Sequence, residues 1–184
     1  MMVFMKTLIL FNKPFQVMCQ FTDKEGRQHL GHYVEDKGVY AAGRLDYDSE
    51  GLLLLTGDGP LQHRITSKEY NKTYLVQVEG LAKKSQLDAL RKGVKVQDYV
   101  AKAVDVALLH KKPSYVWKRT PPIRERKNKP TSWVEVTLNQ GKNRQVRRML
   151  AAVGLPVLRL IRTQIGDWKL DDLALGEKKN VTID

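Results

Sequence analysis

Disulfide and metal–thiolate chemistry have almost nothing to draw on, because the 184-residue chain has one cysteine, Cys19. A lone cysteine gives no disulfide framework and fits a reducing compartment. Cys19 reads as a small core residue. Long apolar runs are missing too. No stretch approaches the roughly 20 residues that span a bilayer, and residues 1–5 lack the pattern of a signal peptide. The expectation is a soluble, cytoplasmic protein without membrane association. Zinc-type ligand spacing, a dinucleotide fingerprint, internal repeats and low-complexity tracts are all absent. His29 and His32 are three apart, but Gly31 intervenes and no third ligand is in view, so no metal is expected.

Acidic residues are scarce in one region. The first 50 residues hold six Lys/Arg against seven Asp/Glu, a net of −1. From Lys111 to Arg148 there are twelve Lys/Arg against Glu125 and Glu135, a net of +10 out of the chain's +12. A block this concentrated, with Trp117 and Trp133 inside it, points to a polyanion and first to nucleic acid. Pro113, Pro121, Pro122 and Pro130 break the block, which rules against an amphipathic membrane helix.

The size suits one domain, or one domain with two lobes, able to bury a core unaided. Thr7–Asn12 reads as a buried strand and Val17–Phe21 as a second. Leu52–Thr56 is an apolar run, followed by a short helix entered at Pro60 and ending near Ser67. Lys72–Glu79 alternates as a strand, and a helix runs from Lys83 to Lys92 before Gly93. Strands follow at Val100–Leu109 and Trp133–Leu138, separated by the long basic loop Lys111–Pro130. A helix over Arg144–Val153 and a strand over Val157–Ile161 complete a β-α-β-β-α-β order, the split ferredoxin-like arrangement.

Two stretches hold the chemistry. Gly43-Arg44-Leu45-Asp46-Tyr47-Asp48-Ser49-Glu50-Gly51 is a glycine-bounded acidic loop set on the Leu52–Thr56 strand, the kind of scaffolded loop that carries function. In the Arg144–Val153 helix, Val146, Met149, Leu150 and Val153 share one face while Arg144, Arg147 and Arg148 share the other. With Asn143 as N-cap and Gly154 as stop, this helix offers bare N–H groups plus arginines, suited to an anion. Gly141-Lys142 is not a nucleotide-hydrolase phosphate loop, since Asn143 follows it and Val136 stands where glycine is needed.

These motifs together resemble the pseudouridine synthases. The resemblance rests on Leu10-Phe11-Asn12-Lys13-Pro14, Gly43-Arg44-Leu45-Asp46 with Ser49-Glu50-Gly51-Leu52, Lys72-Thr73-Tyr74, and Gly141-Lys142-Asn143-Arg144-Gln145-Val146-Arg147-Arg148-Met149. The last is the version typical of the small-subunit pseudouridine synthase A (RsuA) branch. Many members of that branch begin with an S4 RNA-binding domain. Few residues precede the first strand here, so the chain is most similar to the type that lacks an S4 domain and modifies large-subunit (23S) ribosomal RNA.

The resemblance implies an α+β fold with a mostly antiparallel mixed sheet, flanking helices and two lobes around a central cleft. The lobes would be residues 1–70, carrying the Asp46 loop, and 71–184, carrying the basic loop and arginine helix. Together they would form a single catalytic domain acting as a monomer. The implied reaction detaches uracil at N1, turns it and reattaches it through C5, with neither cofactor nor metal. Asp46 is the implied catalytic carboxylate, as nucleophile or base. Arg147 would hold it ionised and oriented, Tyr74 would stack on the extruded base, and Arg44 would fill the vacated space or meet a phosphate. Lys142, Arg144, Arg148, Lys118, Arg119, Arg124 and Arg126 would hold the RNA backbone. Asp48 and Glu50 read as turn residues. Two rivals use the same residues differently: an inert ribosome- or RNA-binding protein on a synthase scaffold, and a hydrolase pairing Asp46 with Asp48 or Glu50.

Overall fold

The computed structural model describes residues 6–183; the segment 1–5, read above for a signal peptide, lies outside it. The chain is α+β, as expected. The strands β1 (Lys6–Lys13), β2 (Tyr40–Ala42) and β3 (Glu50–Thr56) precede helix α1 (Gly59–Thr66). Then come β4 (Lys72–Glu79), α2 (Lys84–Lys92), the hairpin β5 (Val94–Val96) and β6 (Tyr99–Ala101), β7 (Asp105–Leu109) and β8 (Thr131–Leu138). Helix α3 (Gln145–Ala152) leads to β9 (Val157–Ile165), β10 (Trp168–Lys169) and β11 (Lys178–Ile183). Among the described helices none is long and apolar enough to cross a membrane.

One mixed sheet runs β11-β1-β3-β9-β4-β8-β7, and its β9-β4-β8-β7 part is the ferredoxin-like order anticipated from the β-α-β-β-α-β series. Helices α2 and α3 cover one face of that part. They bury Leu87, Leu90, Val146, Met149 and Leu150 against Val76, Val78, Val134 and Val136. The alternation of β4 puts Leu75 on the opposite face, with Leu52, Leu54, Trp133 and Ile161. A third cluster, including Ile9, Phe11, Leu53 and Leu55, packs on the other face of β1 and β3. β11, which no sequence pattern announced, returns to pair with β1.

The two parts of the sheet join where β3 meets β9 in parallel, with Glu50 opposite Ile161 and Gly51 opposite Arg162. Gly51 has φ +105°, and a Cβ there would sit 2.3 Å from the Arg162 carbonyl oxygen. Only glycine allows this approach. The seam thus lies immediately after the acidic loop.

Three local expectations are corrected. Val17–Phe21 is not a strand; it has only a bridge between Met18 and His29, because the segment after the polar turn satisfies its backbone piecemeal. Val100–Leu109 is divided, since Ala103 N–H turns to Leu90 and Val104 N–H to Thr137. The N-cap of α3 is Arg144, in the left-handed region at φ 51°, not Asn143. No side chain caps the helix; the Gln145 carboxamide instead accepts from the Lys142 N–H at 3.2 Å, bracing the turn that leads into it.

Candidate active site

An open cavity of about 630 Å³ lies between the acidic loop, β4, β9 and the entrance to α3. Its lining includes Arg44, Asp46, Lys72, Tyr74, Arg144 and Arg162. Asp46, Tyr74 and Arg44 are therefore brought to one place from elements far apart in the chain. Tyr74 stands opposite Arg162 in the β4–β9 ladder, which turns both towards the cavity. Arg44 is exposed where it lines the cavity.

The loop is fixed from three directions. Gln16 N–H donates to the Tyr47 carbonyl at 2.8 Å, and Arg162 donates to the carbonyls of Gly43 and Leu52 at 2.8 and 2.9 Å. Arg147 donates to the Asp48 carbonyl at 2.8 Å and to Ser49 Oγ at 3.3 Å. Lys13 is fully buried behind the loop and donates to the carbonyls of Pro14 and Val17. Burial pushes its ammonium down to about 8, against the opposing pull of Cys19 and of Glu50, Asp48 and Asp46.

Arginine and carboxylate pair differently from the expectation. Arg144, not Arg147, contacts Asp46, with Nη1 donating to Oδ2 at 3.1 Å. Arg144 also forks onto Asp48 at 3.0 and 2.9 Å. Arg147 reaches Asp48 and Ser49, its carboxylate contact being to Asp48 at 3.4 Å. The left-handed turn at Arg144 sends its side chain across the cleft, whereas Arg147, a turn further on, meets the loop's far end. Burial raises the Asp48 carboxyl, but hydrogen bonds from Arg144 and the charge of Arg147 outweigh it and hold it below the ordinary range. Burial depresses Arg147, with Asp48 as the chief offset.

Glu50 is not a turn residue either. Its carboxylate is 1% exposed and takes a forked pair from Arg159 at 2.8 and 2.9 Å, plus the Trp117 indole N–H at 2.8 Å. The signal was present in the sequence: Glu50-Gly51 runs without a break into four leucines, so it belongs to the buried strand rather than the loop.

The basic loop is pinned by its middle. Val116 is buried, Arg159 donates to the Trp117 carbonyl at 3.0 Å, and Arg119 lies 4.0 Å over the Phe15 ring. Arg119 therefore turns inward, and Arg126 is tied to Glu79. Lys118 and Arg124 stay exposed. Lys142 sits over the Tyr99 ring at 4.6 Å, and Arg148 contacts Gln97 and Asn143. His29 and His32 stack at 3.9 Å, and each accepts a backbone N–H.

Residues 7–152 match a family described as RNA pseudouridylate synthase. The chain belongs to this family. It is 50% identical over 171 residues to ribosomal large subunit pseudouridine synthase E of Xanthomonas axonopodis pv. citri, covering 91% of this chain and 90% of that one. Identity to the protein of the same name from Vibrio parahaemolyticus is 46%, over 97% of this chain and 75% of that one. A crystal structure of a pseudouridylate synthase superposes with TM-score 0.76 at 29% identity, over 96% of this chain and 70% of that one. The chain is accordingly an isomerase acting on RNA.

Proposed function

We propose that this synthase converts a uridine of large-subunit (23S) ribosomal RNA to pseudouridine, with Asp46 as the catalytic carboxylate. The observation that supports Asp46 is its position: it is the carboxylate lining the cavity, half-exposed, facing Tyr74 across a space open to RNA. Asp48 is occupied by two arginines and Glu50 is sealed in the core, so neither is free to act. That arrangement also disfavours a hydrolase built on a carboxylate pair. The large-subunit substrate is supported by the names of the two relatives.

In this reading a uridine is turned out of its stack into the cavity, and its base lies against Tyr74. Asp46 meets the ribose, either attacking C1′ or taking a proton from C2′. Arg144 balances Asp46 in the free enzyme, and Arg147 keeps the loop's backbone in place. Residues 1–70 and 71–184 serve as two lobes of one catalytic domain that works as a monomer in the cytoplasm. The test is to treat unmodified large-subunit RNA with the protein and map carbodiimide adducts. The expected result is one modified uridine with wild type, none with Asp46→Asn, and RNA retention by both. No modified position with wild type refutes the proposal.

A further inference from the structure

Two of the cations that line the cavity are buried without a carboxylate of their own. Among the described residues, neither Lys72 nor Arg162 is in a salt bridge, although they are only 6% and 4% exposed. Buried charge normally comes paired, because desolvation is expensive. Arg162 is accounted for by its bonds to the carbonyls of Leu52 and Gly43. Lys72 is not. Its ammonium gives one hydrogen bond, to the Ser67 carbonyl at 2.8 Å, and has two further N–H groups.

Position narrows what those donors can meet. Lys72 and Tyr74 are two apart on β4, so both side chains point to the cavity face, where both are found. Burial first and the charge of Arg162 second lower the Lys72 pKa, with no carboxylate offsetting either. The Lys72 ammonium is held by the Ser67 carbonyl, where α1 ends, whereas the Asp46 carboxylate is held by Arg144 at the entrance to α3. A base stacked on Tyr74, with its ribose at Asp46, presents its distal edge to Lys72.

We infer that Lys72 is a further catalytic residue, donating a hydrogen bond to the carbonyl oxygen of uracil that lies away from the ribose. This rests on the cavity being the uridine site. The chemistry gives the contact its purpose. When the N1–C1′ bond breaks, its electron pair leaves with N1 and spreads onto O2 and O4. The ring then turns about its N3–C6 axis, which exchanges N1 with C5 and the C2 carbonyl with the C4 carbonyl. C5 bonds to C1′, the C5 proton is lost to a base, and N1 gains one, so composition is unchanged. Before the turn the distal oxygen is O4, and after it the distal oxygen is O2. One ammonium in one place therefore serves substrate, detached anion and product. A fixed donor of this kind stabilises charge where it develops.

The test compares wild type, Lys72→Met and Lys72→Arg on an RNA transcript bearing uridine or 4-thiouridine at the target, with product formation followed in single turnover. Sulfur is the weaker acceptor. Wild type should lose roughly 10- to 100-fold in rate with 4-thiouridine, and Lys72→Met should lose about as much with uridine. The sulfur penalty should then vanish in Lys72→Met, and Lys72→Arg should retain part of it. An unchanged sulfur penalty in Lys72→Met overturns the inference. So does a rise in KM alone with a shallower salt dependence, which would mark a phosphate contact. A rate loss in Lys72→Met that merely follows a fall in Tm also overturns it, and Lys72→Arg guards that comparison by keeping the charge. If wild type forms no pseudouridine on the uridine transcript, the functional reading fails first and takes this inference with it.

Discussion

The Trp117 indole N–H donates to the Glu50 carboxylate at 2.8 Å, tying the middle of the basic loop to the first residue of β3, directly behind the acidic loop. Arg159 completes the join by donating to the same carboxylate and to the Trp117 carbonyl. The part of the molecule with most cations is thereby fixed to the part that presents Asp46. Loops of this length are usually functional or disordered, and here the anchored centre leaves only the outer turns free.

Breaking this join should be expensive. Glu50→Gln leaves Arg159 charged, buried and without its partner, and should cost about 3–5 kcal/mol in denaturant unfolding. Trp117→Phe removes one hydrogen bond to a charged group and should cost about 1.5–3 kcal/mol. Equal, negligible losses in both variants would show that the pair does not hold the loops together.

Arg144 and Arg147 should separate in their effects. The Arg144 pairs are about 40% exposed on each side, so Arg144→Ala should change stability by less than about 1 kcal/mol. Arg147 is 15% exposed and supports the loop backbone, so Arg147→Ala should cost roughly 1–3 kcal/mol. Both should slow pseudouridine formation. Thermal melts alongside single-turnover rates distinguish the roles; a larger stability loss in Arg144→Ala would reverse the assignment.

Asp48 and Lys13 should both make stability rise with pH, Asp48 in the acid range and Lys13 in the alkaline one. The Asp48 carboxyl is depressed in the fold, so its stabilising effect is present above the unfolded pKa and is lost as pH falls through the folded one. Asp48→Asn should therefore weaken the acid dependence of stability. Lys13 is depressed from 10.5 to about 8, so above pH 8 the unfolded chain binds more protons and stability rises towards pH 10.5. Measured against Lys13→Met, this rise should reach at most roughly 3 kcal/mol. A flat difference between pH 7.5 and 10 would contradict it.

RNA affinity should depend on salt chiefly through the exposed cations. Removing Lys118 and Arg124 together should flatten the slope of log K against log salt by about 1.4 to 1.8. Removing Arg119, which lies over Phe15, should change the slope far less. Filter binding over a range of potassium chloride checks both.

Much of the architecture was legible because strong periodicities and helix stops sit in one local stretch. β4 agrees with its alternating pattern to the residue, and α2 ends at the glycine that marks it. Failures came where distant groups decide. The hairpin of β5 and β6 turns through Gln97 at φ 54°, without the Asn-Gly or Asp-Gly signal such turns favour. Choosing among Asp46, Asp48 and Glu50 needed the motif, whereas their environments needed coordinates. Arg159 and Trp117 are far from Glu50 in sequence, and no local rule brings them together. The αL turn at Arg144 is likewise invisible in a helical wheel, and it decides which arginine meets Asp46.

The pairing of β11 with β1 sets an order in time. Lys6–Lys13 meets Lys178–Ile183 across nearly the whole sequence, and β3 needs β9 to complete the seam behind Asp46. Such pairings close late, because long loops must be ordered before their contacts reward it. A chain emerging from the ribosome therefore has its acidic loop early but cannot secure it until β9 has followed. The enzyme is assembled as a working unit only after β9 and β11 have been made.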